Sequence, residues 1–235
     1  MSIQKVNYST QSSIDPIRNR KRTIIGAAAG SAAGIAAAVG GIYIASKKGN
    51  PLQTLKNLSY AEKDVIAIGA GSIIGGLTGG LIADKNKENV KPKLREASQQ
   101  FFGNLLFPIG FLAIGNKLLE KSKFTLPQLN PSNKAAKFIN PVLKNIPKFI
   151  TTVASIITGM EVGNSIMNKV NNKIFNEDKK HNVALSDYLI HADDLCFTAN
   201  MLLKDTPSLS SVTSKVLPLT FILAGSKTGS QQKSL

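Results

Sequence analysis

The stretch GAAAGSAAGIAAAVGG, residues 26–41, has very little side-chain volume, because thirteen of its sixteen residues are Gly or Ala. A soluble core needs large apolar side chains to bury, and here only Ile35 and Val39 are available. A solvated linker would carry charged or polar residues, and this stretch has no charge. We therefore interpret it as part of a helix that packs closely against other helices inside a lipid bilayer.

Charge-free segments of membrane-spanning length recur further along the chain. Three segments have 24, 19 and 20 residues and lie at 23–46, 65–83 and 97–116. A helix rises about 1.5 Å per residue, so about 20 residues cross the hydrocarbon core of a bilayer. The third segment is weakened by Gln99, Gln100 and Asn104, and Pro108 should kink any helix there.

Two further regions of the chain add weaker membrane segments. Residues 149–160 are apolar but short, and reach spanning length only if the helix includes Glu161 and continues to Met167. The pieces at 187–203 and 216–225 are, respectively, too acidic and too short to cross a bilayer on their own. The sequence therefore predicts an all-α fold, a polytopic helical membrane bundle with about four spans in a range of four to six.

Polar segments divide the chain into three regions. Residues 1–22 are polar and basic, which predicts a disordered tail. Residues 23–83 contain the first two apolar segments and are expected to form a transmembrane hairpin. Residues 84–235 are expected to form a further membrane-associated helical region. A predicted Lys/Pro-rich loop interrupts it at 117–148, with seven Lys, one acidic residue and four Pro.

The chain is strongly basic, with a formal net charge of +15. Its charges flank the apolar segments, as RNRKR at 18–22, KK at 47–48 and a predicted charged loop, DKNKENVKPKLRE, at 84–96. This placement predicts the bilayer and its anionic headgroups as partners, and the positive-inside rule places the N-terminal tail in the cytoplasm. The basic residues do not form a face interleaved with aromatic residues, so we expect no nucleic-acid partner.

The first two apolar segments carry glycines four residues apart. They are Gly26, Gly30 and Gly34 in the first segment and Gly71, Gly75 and Gly79 in the second. Spacing four places small residues on one helix face, where they let two backbones approach closely. Residues 23–83 thus resemble the glycine-zipper transmembrane segments of small polytopic membrane proteins. The resemblance implies a tight helical hairpin packed through these glycines. A homo-oligomeric ring or pore, or association with other membrane proteins, stays open.

Two other interpretations of the apolar segments fit less well. The basic cluster before residues 23–46 gives that segment the outline of an export signal, but the apolar run is far longer than the usual 7–15 residues. VIAIGAGSIIGG, residues 65–76, invites comparison with a dinucleotide-binding fingerprint. Its glycine spacing is wrong, and no alternation of strands and helices surrounds it. We therefore favour uncleaved membrane helices for both segments.

Side chains that could bind a metal ion or transfer protons occur together in two places. Asp187, His191 and Asp194 share one face of a predicted helix, where they could bind a divalent metal, relay protons or form an ordinary solvated surface. Glu161 opens a polar stripe on an otherwise apolar helix, and it either faces a polar path inside the bundle or lies in water beyond the bilayer. His181 stands alone in a predicted polar loop.

No sequence motif indicates a cofactor or a catalytic centre. The chain has no nucleophile elbow, P-loop or HExxH motif, and its single cysteine, Cys196, excludes a Cys-rich metal cluster. We expect an integral membrane protein of structural or scaffold type without catalytic activity or cofactor. The alternative is a pore or transport component that uses intramembrane polar residues. A membrane metal hydrolase ranks third, because two histidines provide few imidazole ligands.

Overall fold

The computed structural model describes residues 15–46, 62–191, 195 and 220–233. These residues form helices and connections, with no strand among them. The α-helices are α1 Pro16–Ser46, α2 Glu62–Ala83, α3 Val90–Ser98, α4 Phe107–Ser122, α5 Ala136–Phe175, α6 Leu185–Tyr188 and α7 at residues 220–230. A π-helical segment, Gln99–Leu106, joins α3 to α4, and 3-10 turns lie at Lys87–Asn89 and Leu189–His191. The described part of the chain is thus all-α.

Helices α1 and α2 lie antiparallel with their glycine faces in contact. Gly26 meets Gly79 and Gly34 meets Gly71, while Gly30 lies against the backbone of Gly75. A Cβ atom added at any of these glycines would come within 3 Å of an atom of the facing helix. The two helices therefore touch backbone to backbone, which side chains larger than hydrogen would prevent.

Helix α7 packs on a second small-residue face of α2 and runs parallel to it. Gly225 lies against the backbone of Gly76, and Gly229 lies against that of Gly80. The hydroxyl oxygens of Ser31 and Ser72 are 2.7 Å apart where the three helices meet. Helices α1, α2 and α7 therefore share one contact made largely of Gly and Ser.

Helices α3 and α4 and the segment between them form one continuous helical rod. The sequence predicts a kink at Pro108, and the structure places the π-helical segment Gln99–Leu106 two residues before this proline. Helix α5 returns antiparallel beside the rod, with Gly163 against Gly103 and Gly159 against Pro108. Glycine therefore allows close approach at this helix pair as well.

Several predicted loop and tail boundaries are wrong because helices extend further than the sequence suggests. Helix α1 starts at Pro16, so residues 16–22 of the predicted disordered tail are helical, and the tail up to residue 14 lies outside the described residues. Helix α3 starts inside the predicted charged loop at 84–96, with Pro92 in its first turn, where a missing N–H costs no helix bond.

The predicted Lys/Pro-rich loop at 117–148 is also shorter than expected. Only residues 123–135 lie outside helices, because α5 begins at Ala136 and contains Pro141 and Pro147. A proline inside a helix loses one backbone hydrogen bond. The ring of Pro147 is itself buried, so its packing helps to offset that loss.

Three described helical stretches are long and apolar enough to cross a membrane. They are Pro16–Ala45, Lys63–Ala83 and Lys87–Ser122, with 30, 21 and 36 residues. Helix α5, which contains the predicted fourth span, is not among them. The structure thus supports an all-helical protein with three candidate membrane spans among the residues that it describes.

Candidate functional site

An ionic cluster built around two buried carboxylates joins three separate parts of the chain. The imidazole of His181 lies between two carboxylates, with Nδ1 3.4 Å from Glu96 Oε2 and Nε2 3.5 Å from Asp187 Oδ2. From α7, Lys227 Nζ lies 2.6 Å from Asp187 Oδ1 and 3.7 Å from Glu96 Oε1. Gln100 donates hydrogen bonds from Nε2 to both carboxylates, at 2.8 and 3.2 Å. We call these five residues the ionic cluster.

Proton affinities in the ionic cluster are set by burial and by the neighbouring charges. Burial alone would lower the pKa of His181, but the carboxylates of Asp187 and Glu96 outweigh it and raise the pKa to about 9. Burial alone would raise the pKa of Asp187, but His181 and Lys227 hold it well below its ordinary value. His181 is therefore an imidazolium at neutral pH, and the two cations balance the two carboxylates.

A row of buried amides continues from the ionic cluster into the helical rod. Asn104 donates to Gln100 Oε1 at 3.1 Å, and Asn164 of α5 donates to Asn104 Oδ1 at 2.6 Å. Gln99 donates to Asn164 Oδ1 and accepts a hydrogen bond of 3.2 Å from Asn171. These five side chains, the amide row, cross-link α5 to the rod and are each 3 % exposed or less.

The row ends at a hydrogen bond from the short segment after α6. His191 Nε2 lies 2.8 Å from the backbone carbonyl oxygen of Asn104. A carbonyl only accepts hydrogen bonds, so Nε2 carries the proton. Asn104 lies in the π-helical segment, in which N–H groups bond to carbonyls five residues back, and Pro108 just after this segment has no N–H. The imidazole thus fixes the segment after α6 to the backbone of the rod where the π-helical segment ends.

A second buried ion pair lies at the end of the bundle where α2 stops. Lys93 Nζ is 2.5 Å from Asp84 Oδ2 and donates to the carbonyl oxygen of Gln231 at 2.8 Å. Asn19 at the start of α1 donates to Asp84 Oδ1 at 2.7 Å. Burial opposes ionisation of Asp84, but Lys93 and Asn19 lower its pKa overall. This pair ties α1, α2, α3 and the segment after α7 together.

The structure places the polar residues predicted from the sequence in different environments. Asp187 and His191 are 2 % and 1 % exposed, so neither residue lies on a solvated surface, which was one of the alternatives left open above, while Asp194 lies outside the described residues. Glu161 is exposed and forms no side-chain hydrogen bond or ion pair with any described residue. Among the described residues, no three His, Cys, Asp or Glu side chains are arranged to hold a metal ion.

Glu161 instead lines an open polar cleft of about 570 Å³ between α5 and the segment that follows it. Helix α5 contributes Glu161, Ser165 and Lys169, and the following segment contributes Lys180, Asn182 and Val183. His181 borders both this cleft and the ionic cluster. The cleft is therefore separated from the buried carboxylates by a single imidazole ring.

Comparison with known proteins finds no protein family, no curated protein and no solved structure that matches this chain.

Proposed function

We propose that the chain is an integral membrane protein of structural or scaffold type without catalytic activity. The observation that carries this proposal is the backbone contact of α1, α2 and α7 through small residues, combined with large apolar side chains that point outward. Among these, Ile25, Ile74 and Ile82 are 69 %, 63 % and 76 % exposed. In water such a surface would favour aggregation, whereas in a bilayer it faces lipid.

The contacts between α1 and α2 support a glycine-zipper hairpin as the centre of the scaffold. Lipid tails are as apolar as leucine, so membrane helices gain little by hiding apolar area from lipid. They gain from dispersion contacts and weak hydrogen bonds between backbones that approach closely. The faces formed by Gly26, Gly30 and Gly34 and by Gly71, Gly75 and Gly79 offer this approach.

The amide row also favours a structural role. Each of its side chains has a hydrogen-bond partner within the bundle, and the charges of the ionic cluster balance. A buried polar network with its hydrogen bonds satisfied stiffens a helix interface and fixes its register. We infer that these residues hold α5, α7 and the rod in one arrangement.

A pore or transport component is the alternative, and one observation favours it. Gly159 packs at Pro108 and Gly163 at Gly103, so Glu161 between them lies level with the charge-free residues 97–116. An ionised side chain facing lipid at mid-bilayer depth costs about 2.5–3.5 kcal/mol on insertion scales. If the rod spans the membrane, this carboxylate must therefore face water, a ligand or a protein partner, such as a second copy of the chain.

Membrane integration is tested by extraction of membranes that contain the protein. We expect the chain to stay in the pellet after a carbonate wash and to require detergent, and recovery in the soluble fraction would refute the proposal. Purified protein in liposomes then separates the two roles. A scaffold leaves ion and small-solute flux at the level of protein-free liposomes, whereas a pore or carrier raises it in proportion to the protein content.

The orientation of the bundle gives a separate test. The packing places the ends of α1, α2 and α5 near residues 16, 83 and 175 on one side and the α4–α5 connection on the other. We propose that the first side is cytoplasmic. Accessibility tags at residues 10, 90 and 178 should then be reached only from the cytoplasm, and tags at 55 and 130 only from outside.

A further inference from the structure

The cleft beside α5 has a fixed wall and unused polar groups. Asn168 donates to the carbonyl oxygen of His181 at 3.0 Å and accepts from its backbone N–H at 2.8 Å, which holds the segment against the helix. Asn172 accepts a hydrogen bond from the backbone N–H of Lys179 at 3.3 Å. The wall is therefore held by the side chains of Asn168 and Asn172, which leaves the other polar side chains of the lining free of that task.

Five side chains of the lining are exposed and form no hydrogen bond or ion pair with any described residue. They are Glu161, Ser165, Lys169, Lys180 and Asn182. The two ammonium groups lie on opposite walls, because Lys169 belongs to α5 and Lys180 to the segment after it. Glu161 lies eight residues before Lys169, about 12 Å along the helix axis. The cleft thus has a cationic end and, further along, an end with hydroxyl, amide and carboxylate groups.

We propose that this cleft binds the phosphate ester of a hydroxyl-bearing alcohol. The ammonium groups of Lys169 and Lys180 bind the phosphate, because two point charges on opposite walls can share its oxygens. Ser165, one helical turn before Lys169, and Asn182 exchange hydrogen bonds with the hydroxyl groups. Val183 is the only apolar side chain among the described lining residues, so the cleft takes a polar headgroup and not an acyl chain.

Such a ligand has two sources, a lipid headgroup such as that of phosphatidylglycerol and a free ester such as glycerol 3-phosphate. The lipid source rests on the proposed membrane function, whereas the cleft chemistry does not. If the ligand is a lipid, the cleft opens toward the headgroup layer, which agrees with its position beside Arg95 and Asn172 at one end of the rod.

The test is binding to the full-length chain purified in detergent. The protein is titrated with glycerol 3-phosphate, and separately with nanodiscs of phosphatidylglycerol or phosphatidylcholine. The double variant K169Q/K180Q is compared with K144Q/K173Q, which loses the same charge from exposed lysines of α5 outside the cleft. We expect K169Q/K180Q to raise the dissociation constant at least about tenfold, since the phosphate loses both of its charge-assisted hydrogen bonds.

The outcomes separate the ligand sources and the two proposals. If the protein binds glycerol 3-phosphate and only K169Q/K180Q weakens this binding, the site is supported and its ligand is a free ester. If the protein binds phosphatidylglycerol nanodiscs more tightly than phosphatidylcholine nanodiscs, and only K169Q/K180Q weakens this binding, the site is supported and its ligand is a lipid. No saturable binding of either probe, or equal weakening in both double variants, overturns the site. If carbonate extracts the protein from membranes but the protein binds glycerol 3-phosphate, the proposed site stands and the proposed membrane function fails.

Discussion

His191 donates a hydrogen bond of 2.8 Å from Nε2 to the backbone carbonyl oxygen of Asn104, inside the helical rod. This carbonyl lies four residues before Pro108, which has no N–H to offer it. A residue 87 positions away thus donates to the backbone of the rod close to the point where a proline leaves out an N–H. The bond also anchors the segment after α6, and with it Asp187 of the ionic cluster.

This relationship predicts energetic coupling between positions 108 and 191. His191→Phe should lower the free energy of unfolding by about 1–3 kcal/mol, because the carbonyl of Asn104 is left buried without that donor. In the Pro108→Ala background the new N–H can bond to the same carbonyl, so the loss should be smaller. A double-mutant cycle from thermal unfolding in detergent measures the difference. Pro147→Ala is the control, and equal coupling with it would contradict the assignment.

His181 should make the stability of the protein depend on pH. Its pKa is raised from 6.5 to about 9 in the folded protein, so its contribution is complete below pH 6.5 and is lost as the pH rises through about 9. The expected loss is on the order of 3 kcal/mol. The lowered pKa of Asp187 acts oppositely, and its contribution is lost only in strong acid.

The measurement is the unfolding temperature in detergent between pH 6 and pH 10. His181→Gln should flatten the curve in this interval, because glutamine does not titrate. Asn182→Ala changes the neighbouring exposed residue and should keep the slope of the unchanged protein. An unaltered slope in His181→Gln would show that another group causes the pH dependence.

Glycine contacts in α1 give a prediction with a control in the same helix. Gly30→Ala would bring a Cβ within 3 Å of the Gly75 backbone, whereas Gly41→Ala meets nothing within 4 Å. We expect Gly30→Ala to cost about 1–3 kcal/mol through overpacking, and Gly41→Ala to be neutral or to stabilise by up to about 1 kcal/mol. Unfolding temperatures of the two variants check this, and equal values would exclude the observed contact of α1 with α2.

The helical class and the apolar segments follow from sequence because they depend on local composition. Glycine spacing likewise identifies which face of a helix carries small residues, although not which helix packs against that face. For the packing of α7 against α2, the sequence offers no indication beyond Gly225 and Gly229. Proline is a weaker guide, because tertiary packing keeps Pro141 and Pro147 inside α5. Local propensity therefore sets the elements while packing sets their ends.

The ionic cluster could not be predicted because its members are distant in sequence. His181 looked isolated, yet Glu96 and Asp187 flank it, and Lys227 comes from the far end of the chain. The sequence feature that indicates this buried face is the spacing of four between Glu96, Gln100 and Asn104, which places polar groups on one face of an apolar helix. Polar residues that lower the hydrophobicity of a candidate membrane span can thus indicate the face of the helix that packs against the rest of the protein.

Glu161 should behave as a surface residue with respect to folding. Its carboxylate is exposed and has no hydrogen bond or ion pair with the described residues. We expect Glu161→Gln to change the free energy of unfolding by no more than about 0.5 kcal/mol, and to add to the effect of His191→Phe in the double variant. A pH-dependent coupling between the two changes, measured by unfolding, would instead favour a shared proton path and the transport alternative.

Asn164 provides the sharpest distinction between a scaffold and a polar path. Its amide bonds both Gln99 and Asn104, so Asn164→Leu leaves two buried amides without these partners, at about 1–3 kcal/mol each. Asn182→Leu changes an exposed amide and is the control. In a scaffold, Asn164→Leu lowers the unfolding temperature strongly, and liposomes with either protein show no flux above the protein-free level. If the unchanged protein carries flux that Asn164→Leu abolishes while the variant stays folded, the amide row is a conducting path and the scaffold proposal fails.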